Sequence, residues 1–413
     1  MTQGPPVSVI IVSRERPEAL KLCLTGVARL AYTPPYEVIV VADAVGIAAA
    51  QSFPFANGLK LVPFDAANIS AARNLGVNHA GGIIVAFIDD DAVPEPLWLH
   101  HLTAPFANPY IAATGGYVRG RNGISYQWKA RAVNALGETR ELSLTSPNSP
   151  DLTEGEAIKL EGTNMAFRRD VLARIGGFDP VFRFYKDETD LCMRLAQEGH
   201  QTRLTPLAEV HHAYAPSARR KANRAVRDLT EIGASSTLFL RKHAPKADWS
   251  ARQAALRQEQ QYRLCAQRKD RLIKAGDMPR LMQTYDDGCT DGEHRPLKPL
   301  SPLGPPAKFR PFFSLSTGEH HVLSGRIWSA RRLKRRAAKL AAEGHTVSLY
   351  IFTHTALFHT VRFQPQGYWK QRGGLFGRSD RSQPMFRLTH LRARTAAEVA
   401  RTSAQRGATF QKP

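Results

Sequence analysis

Residues 83–91 read Ile-Ile-Val-Ala-Phe-Ile-Asp-Asp-Asp, six apolar residues followed directly by three carboxylates. A short apolar run that is rich in β-branched residues predicts a buried strand. Ligands of open α/β sheets bind beyond the carboxyl ends of the strands, which is where these carboxylates would lie. Adjacent carboxylates repel one another unless a cation or a proton intervenes. The stretch therefore predicts a site for Mg²⁺ or Mn²⁺, which bind carboxylates and bridge to phosphates; a solvated acidic turn is the alternative.

Strand-like and helix-like segments alternate in front of this stretch. Short apolar runs predict the strands, and apolar residues at helical spacing predict the helices. The segments in order are strand Val7–Val12, a helix from Pro17 with apolar residues through Leu30, strand Glu37–Val41, strand Leu59–Val62, helix Ser70–Ala80 and strand Ile83–Ile88. This alternation predicts an α/β domain with a largely parallel sheet. The sequence contains no glycine-rich dinucleotide motif after the first strand and no Walker-type motif, so the two common phosphate loops lack support.

The remainder of the chain divides by composition. Residues 120–160 are polar and predict a long loop with some helix, and prolines crowd together from Asp291 to Pro311, which marks a linker. The further predicted elements are helices Asp187–Gly199, Ala225–Arg241 and Ala251–Lys274, strand Phe312–Leu315, helix Gly325–Ala342, strands Val347–Phe352 and Leu357–Phe363, and a last helix Thr395–Gln405. We expect four parts: the α/β domain at 1–245, a helical extension at 246–290, the linker at 291–311 and a basic α/β module at 312–413.

Positive charge is concentrated in the second half of the chain. The 413 residues carry a net charge of +21, and residues 246–413 hold 31 Lys and Arg against 12 Asp and Glu. Residues 331–336, Arg-Arg-Leu-Lys-Arg-Arg, lie on a predicted helix. Such a part can face nucleic acid, an anionic membrane or an acidic polymer. Because the sequence carries no helix-turn-helix, zinc-finger or aromatic RNA-binding signature, we expect no nucleic acid partner.

Composition also bounds the class and the compartment. With 43% apolar and 23% charged residues, the chain is not a disordered protein. Its four cysteines lie far apart and predict neither a zinc site nor a disulfide framework. No apolar run approaches the roughly 20 residues that cross a bilayer, and the N-terminal stretch lacks a charged leader and a cleavage site. We expect a cytoplasmic protein.

Seven ordered stretches resemble the family 2 glycosyltransferases of GT-A fold over roughly residues 5–245. Each stretch alone is weak evidence, since acidic residues favour helix N-termini and a histidine pair is more often structural. The stretches are Val7–Pro17, Glu37–Asp43, Asn68–Gly76, Phe87–Pro94, Gly162–Arg169 with Gly176–Asp179, Asp187–Leu195 and Pro206–His212. The resemblance implies that residues 1–245 are a GT-A catalytic domain, a mostly parallel twisted sheet with helices on both faces. Helices and a small C-terminal α/β module would follow it.

The resemblance also assigns roles to particular residues. The residues are Asp89, Asp91 and His212 for the metal; Ser13, Asp43, Arg73, Asp89 and Asp90 for the nucleotide sugar; and Asn164 and Asp190 on the acceptor side. Asp43 is the residue expected to read the nucleobase. Around it, Ala42, Ala44 and Val45 replace the usual Asp, Gly and Ser, so the identity of the nucleotide stays open.

The general base follows from the same resemblance, with one choice left open. The family has Glu-Asp in this segment with the second residue as base, whereas this chain has Asp187-Glu188. Aligning the segment on Asp190-Leu191 makes Glu188 the base. Its side chain is longer by one methylene, so Asp187 stays the alternative. An attacking hydroxyl needs such a carboxylate, and the departing diphosphate gains negative charge that a bound cation can neutralise.

Together these residues predict an inverting, metal-dependent glycosyltransferase. The resemblance implies a nucleotide-diphosphate sugar as donor, a saccharide or lipid-linked acceptor, and a role in bacterial surface-polysaccharide or glycoconjugate synthesis. The basic module predicts peripheral binding at the inner face of the cell membrane. The alternatives are a catalytically inactive scaffold that binds a sugar nucleotide and, less favoured by the motifs, a nucleic-acid-binding protein.

Overall fold

Strands and helices alternate through the first half of the chain in a computed structural model that describes residues 4–143, 150–213, 219, 221 and 223–407. The elements are β1 (Val7–Ser13), α1 (Pro17–Val27), β2 (Tyr36–Ala42), α2 (Ala44–Gln51), β3 (Leu59–Pro63), α3 (Ile69–Asn78), β4 (Ile84–Asp89), β5 (Ala92–Pro94), α4 (Trp98–Thr103), β6 (Ile111–Arg119), β7 (Tyr126–Trp128), β8 (Arg131–Val133), β9 (Thr139–Glu141), β10 (Ala157–Ile158), β11 (Met165–Arg168), α5 (Arg169–Arg174), α6 (Asp187–Gln197) and β12 (Gln201–His212). The predicted strands before residue 90 are all present.

Helices dominate the region after β12, and a second, smaller sheet follows them. The elements are α7 (Thr230–His243), α8 (Ser250–Lys269), α9 (Asp277–His294), β13 (His320–Arg326), α10 (Ala330–Ala342), β14 (Thr346–Thr353), β15 (Thr360–Phe363), β16 (Trp369–Gly374) and α11 (Leu391–Arg406). Among the described residues, no helix is both long enough and apolar enough to cross a bilayer.

The large sheet has the strand order β3-β2-β1-β4-β11-β6-β12-β5, with β7 beside β6. Its first four strands are parallel, whereas β11 runs antiparallel to both β4 and β6. At the far side, β12 is parallel to β6 and antiparallel to β5. This mixed sheet confirms the α/β fold that the sequence predicts. The antiparallel pairings come from elements after β4.

Apolar side chains cover both faces of this sheet. Ile10 and Phe87 belong to a core on the face that holds α3, α5 and α6, whereas Ile11 and Ile88 belong to a core on the face that holds α1 and α4. Successive residues of a strand point to opposite faces, so a continuous apolar run fills two cores at once. Helices therefore pack on both faces, as expected.

Short antiparallel strands occupy much of residues 120–160, where the sequence predicts a loop with some helix. Strands β10, β8 and β9 form a three-stranded sheet. The side chain of Asn134 accepts the backbone N–H groups of Leu136 and Glu138, and Gly137 has a φ of +70°, which builds a tight turn between β8 and β9. The helix prediction is wrong for the described part of this segment; residues 144–149, with Pro147, lie outside the described residues.

The proline-rich segment after α9, called the strap below, runs extended along the domain that contains the large sheet. The backbone N–H of Leu303 donates to Ala173 at 2.9 Å, and that of Ala307 donates to Ala80 at 3.1 Å. The N–H of Arg310 donates to the buried carboxylate of Glu37 at 2.8 Å. Phe312 makes a single bridge with Tyr36, so the predicted strand Phe312–Leu315 is wrong. These backbone groups of the strap therefore bond to the domain that contains the large sheet.

The C-terminal sheet has the order β13-β14-β16-β15 and packs against the first domain. Gly325 lies in β13, and α10 begins five residues later than its predicted start. The backbone N–H of Val361 donates to Asn122 at 2.8 Å. Arg406 at the end of α11 pairs with the buried Glu95 at 2.7 Å. The four-part division of the chain stays a prediction, but these contacts show that its parts are docked.

Candidate active site

A cavity of about 700 Å³ opens at the carboxyl ends of β4 and β12. Parallel strands end there, as the sequence predicts for the acidic stretch. Its walls come from β4, β7, the segment after β10, the start of α6 and one face of α8. Its polar and charged lining includes Arg16, Arg73, Asp89, Asp91, Gln127, Lys159, Lys186, Asp187, Glu188, His212, Arg252, Glu259 and Gln260.

Asp89, Asp91 and His212 bring three ligand atoms within 4.8 Å of one another. Asp89 ends β4, Asp91 follows it by two residues, and His212 arrives from the end of β12. The β5–β12 pairing opposes His212 to Ala92, which places the imidazole beside Asp91. Nε2 of His212 lies 3.0 Å from Asp91 Oδ1. The three residues that the resemblance assigned to the metal therefore meet at one wall of the cavity.

The orientation of His212 fits a ligand role. Its Nδ1 donates to Oε1 of Gln127 at 3.0 Å, because an amide oxygen can only accept. In the neutral imidazole, Nε2 then carries the lone pair and faces a carboxylate oxygen. Two such acceptors at this distance require a proton or a cation between them. Two carboxylates and one imidazole suit Mn²⁺ or Mg²⁺ in donor type, so the residues present fit a divalent cation.

Asp90 points away from this group. It accepts from Ser13 Oγ at 2.8 Å and from Arg16 at 3.0 Å. Burial raises the pKa of Asp90 to about 7, against the opposing charge of Arg16. Ser13 and Asp90 thus join the ends of β1 and β4. Arg16, which the sequence analysis did not single out, lies 3.8 Å from Asp91 and lines the cavity.

Arg73 connects the two acidic ends of the site. Its guanidinium makes a short ion pair with Asp187 and donates to Asp89 at 3.3 Å and to the backbone oxygen of Gly162 at 3.1 Å. It is buried on α3 and stacks over Phe178 at 5.3 Å. A planar guanidinium presents donors in a fixed fork, which suits a bridge between two carboxylates. Asp89, Asp91 and His212 are called the metal-type group below. Arg73 therefore sets the spacing between this group and the start of α6.

Asp187 and Glu188 are neighbours in the chain with different environments. Asp187 is almost fully buried against Arg73, and burial raises its pKa to about 7. Burial would also raise the pKa of Glu188, but Lys159, at 3.2 Å, together with Arg73, outweighs it and holds that pKa well below its usual range. Glu188 is therefore ionised at neutral pH and faces the cavity beside a lysine. The sequence contains no motif that would have singled out Lys159.

Five residues with roles assigned from the sequence are not among those that line the cavity in the described part of the chain: Ser13 and Asp90, which bond to each other, and Asp43, Asn164 and Asp190. Asp43 caps α2, accepting from the N–H of Gly46 at 2.8 Å and of Glu15 at 2.9 Å. Asn164 is fully buried, accepts from Trp98 and donates to two backbone oxygens. Asp190 is paired with Arg194, Lys242 and His243 at 2.8–2.9 Å. These contacts are structural, and the nucleotide and acceptor roles of these residues stay predictions.

Helix α8 contributes one face to the wall of the cavity. Arg252, Leu256, Glu259, Gln260 and Arg263 line the cavity. Their spacing places them on one helical face, which faces the start of α6. Lys186 lies between α8 and α6, with its ammonium 4.8 Å from the ring of Phe239; burial lowers its pKa to about 8. The sequence predicts α8 as a helix but contains no signal that it reaches the site.

The chain matches a known protein family and is similar to several known proteins. Residues 5–230 match the family described as Glycosyltransferase like family 2. The chain is similar to the pre-mycofactocin glycosyltransferase of Mycobacterium tuberculosis, with 28% identity over 154 residues, 36% of this chain and 31% of that one. It is similar to the O-antigen biosynthesis protein RfbC of Myxococcus xanthus, with 24% identity over 237 residues, 53% of this chain and 18% of that one. The chain thus spans about a third or less of the length of these relatives.

Among solved structures, the chain is similar to the mannosyltransferase PcManGT of Pyrobaculum calidifontis, solved with GDP-Man and Mn²⁺. The TM-score is 0.43 and the identity is 17%, over 71% of this chain and 88% of that one.

Proposed function

Since the chain belongs to glycosyltransferase family 2, we propose that it transfers a sugar, with inversion, from a nucleoside diphosphate to an acceptor hydroxyl. One observation carries the proposal: a metal-type donor set and a pair of carboxylates face the same cavity and are joined by Arg73. Inverting transfer needs these two features on opposite sides of the anomeric carbon. The similarity to an O-antigen biosynthesis protein supports glycoconjugate synthesis as the setting.

At the donor end, Asp89, Asp91 and His212 would hold Mg²⁺ or Mn²⁺. The bound cation would neutralise the charge that develops on the departing diphosphate. Arg16 and Arg73 reach the same wall and supply further positive charge there. Gln127 keeps His212 in the tautomer that a ligand needs, an orienting role typical of residues behind metal ligands.

On the other side of Arg73, Glu188 would accept the proton of the attacking hydroxyl. Lys159 keeps it ionised, and its carboxylate is partly open to the cavity. Asp187 is enclosed by Arg73, which suits a residue that holds the geometry. A positioned carboxylate base contributes about 10²- to 10⁴-fold to a rate.

The acceptor would enter between α6 and α8. Glu188 faces this space, and α8 contributes both charged and apolar side chains to it. Because α8 lies after residue 230, outside the family match, the acceptor wall is built by a part of the chain that is not shared with the matched family segment. A saccharide or a lipid-linked acceptor is expected there.

The C-terminal module would bring the enzyme to an anionic membrane. Helix α10 buries Leu333, Ala337 and Ala341, and exposes its arginines and lysines on the opposite face. Each Lys or Arg near an anionic surface contributes about 1 kcal/mol of attraction. Several such contacts give reversible peripheral binding, at the cytoplasmic face of the membrane in this proposal.

Calorimetry of the full chain with a panel of sugar nucleotides, with and without Mn²⁺, tests the proposed function. We expect one donor to bind in a Mn²⁺-dependent manner and to be hydrolysed slowly, with products identified by mass spectrometry. Binding without turnover against a broad acceptor panel would favour the inactive scaffold. Donor hydrolysis that survives unchanged in EDTA would contradict the metal assignment.

A further inference from the structure

Large apolar side chains are exposed together on two loops of the C-terminal module. Leu357 and Phe358 follow β14, and Met385, Phe386 and Leu388 precede α11; their exposed fractions lie between 54% and 79%. Single exposed apolar residues are ordinary, but a contiguous group on a soluble protein marks a contact surface. We call these five residues, with Phe376, the loop patch.

Ring and backbone contacts join the two loops into one surface. The Phe376 and Phe386 rings lie 5.5 Å apart, and the N–H of Arg387 donates to the backbone oxygen of Phe376 at 3.0 Å. The N–H of Gly374 donates to the backbone oxygen of Leu357 at 2.9 Å, and the N–H of Phe376 donates to that of Thr355 at 3.1 Å, so the segment from Gly374 to Phe376 contacts both loops. The loops therefore present their apolar side chains side by side.

Positive charge surrounds the loop patch. The guanidinium of Arg378 lies 4.5 Å from the centre of the Phe358 ring, and Arg381 and Arg387 are exposed on the same loop. Asp380 is the acidic residue between them, and its carboxylate accepts from the backbone and hydroxyl of Ser382. Arginine and aromatic residues around an apolar centre match the boundary between anionic headgroups and acyl chains.

The composition of the loop patch favours lipid over other partners. Three of its members, Leu357, Met385 and Leu388, are aliphatic, whereas single-stranded nucleic acid stacks on aromatic rings. A second copy of the chain would bring the same arginines against each other, and like charges oppose that association. In an anionic bilayer, the acyl chains can contact the apolar side chains while the headgroups pair with the arginines.

We propose that the loop patch inserts into an anionic membrane surface and that this insertion, not charge alone, anchors the protein. The proposal rests on the proposed function for its setting and adds a second contact surface to the α10 face. Insertion of apolar side chains is less sensitive to salt than ion pairing, because screening acts on charge. Added salt should therefore weaken binding through the α10 face more than binding through the loop patch.

Co-sedimentation of the full chain with vesicles tests the loop patch. We expect binding to phosphatidylcholine vesicles that contain phosphatidylglycerol, weak binding to pure phosphatidylcholine, and a fraction that stays bound at about 1 M salt. The variant Phe358→Ser/Phe386→Ser should lose this salt-resistant fraction and weaken binding about tenfold or more. Tyr110→Ser, an exposed aromatic on the catalytic region, is the matched control and should bind as the parent does.

Leu388→Ser, at a highly exposed position, provides a variant whose folding is not in question; it should show a smaller loss of the same kind. Equal binding of the parent and both patch variants, or no binding of the parent, would overturn the proposal. So would release of the bound chain by single-stranded RNA, or a dimer in solution that the variants convert to a monomer. Donor hydrolysis is measured on each variant; we expect it unchanged, and its absence from the parent would bear on the proposed function alone.

Fluorescence gives an independent readout. The parent has five tryptophans, one of them the exposed Trp328 beside α10, so each variant is compared with the parent. On addition of the phosphatidylglycerol vesicles, the emission of Phe358→Trp should shift to the blue by more than that of the parent, because the added indole leaves water, whereas Tyr110→Trp should not exceed the parent. No added shift in Phe358→Trp, or an equal added shift in both variants, would count against insertion by the loop patch.

Discussion

The pKa values of Glu188 and Asp187 shift in opposite directions because their neighbours differ. Lys159 and Arg73 keep the pKa of Glu188 well below its usual range, whereas burial raises that of Asp187 to about 7. A general base acts in its deprotonated form, so the rate rises with pH through the pKa of the base. The two candidates therefore predict different pH profiles.

Glu188→Gln keeps the shape of the side chain and removes its basicity. We expect transfer to fall about 10²- to 10⁴-fold while donor affinity, measured by calorimetry, is nearly unchanged. The parent should show no loss of kcat between neutral and mildly acidic pH. Asp187→Asn is the comparison. A collapse of transfer in Asp187→Asn alone, with a parent rate that falls below about pH 7, would make Asp187 the base.

Asp91 contributes to the metal-type group, whereas its neighbour Asp90 faces Ser13 and Arg16. Asp91→Asn should lower donor hydrolysis about a hundredfold or more, and should raise the Mn²⁺ concentration that half-saturates it, because an anionic ligand is lost. Asp90→Asn is the matched control and should leave the Mn²⁺ dependence close to that of the parent. The reverse ranking of the two variants would move the cation to Asp90.

At the scale of elements, one face of α8 forms part of the cavity wall. Gln260 lies on the face that lines the cavity, and the next residue, Gln261, is exposed and is not part of the lining. Two adjacent glutamines on one helix thus allow a test in which only the direction of the side chain changes.

Gln260→Trp should narrow the acceptor end and lower acceptor kcat/KM about tenfold, which corresponds to about 1.4 kcal/mol. The dissociation constant of the donor should be unchanged, because the donor would bind beside Asp89, Asp91 and His212. Gln261→Trp should behave as the parent does in both measurements. Weaker donor binding in Gln260→Trp would mean that the acceptor does not enter beside α8.

At the scale of the whole molecule, a buried ion pair fastens the C-terminal module to the domain that contains the large sheet. Arg406 on α11 donates to both oxygens of Glu95, at 2.7 and 2.8 Å, and His211 lies 2.8 Å from the same carboxylate. Gln405 donates to Glu209 on β12 at 3.2 Å. The module therefore supports the strand that ends at His212.

Arg406→Met should lower the free energy of unfolding by about 3–5 kcal/mol, because it leaves Glu95 buried without its main partner. Glu95→Gln/Arg406→Met should recover much of this loss, and Arg392→Met, at an exposed position, should cost little. Denaturant unfolding of the full chain measures all three. Additive losses in the double variant would show that the two residues are not coupled.

The pH dependence of stability follows from the same pair. Burial alone would raise the pKa of Glu95, but Arg406 and His211 hold it well below its usual range. A depressed pKa stabilises the fold above the unfolded value of about 4.3, and this stability is lost as the pH falls through the folded value. In Arg406→Met the pKa of Glu95 rises, so acid unfolding should begin at a higher pH than in the parent.

What the sequence by itself determined is local. The strand before Asp89 and the placement of Asp91 beyond a strand end both follow from one stretch of nine residues, since neighbours in the chain stay neighbours in the fold. The prediction failed for Phe312–Leu315, where Phe312 makes one bridge with the distant Tyr36 in place of a strand. It also failed for the helix expected within residues 120–160, where the described residues form short strands that pair with each other.

Only the tertiary structure decided which distant residues complete the site. His212 reaches Asp91 because β12 pairs with β5, and Lys159 reaches Glu188 across 29 residues of chain. The same packing surrounds Asn164 and Asp190 with hydrogen-bond and ion-pair partners, and it brings α8 to the cavity. A pKa depends on burial and on neighbours in space, so the difference in pKa between Asp187 and Glu188 could not be predicted from their adjacent positions in the sequence.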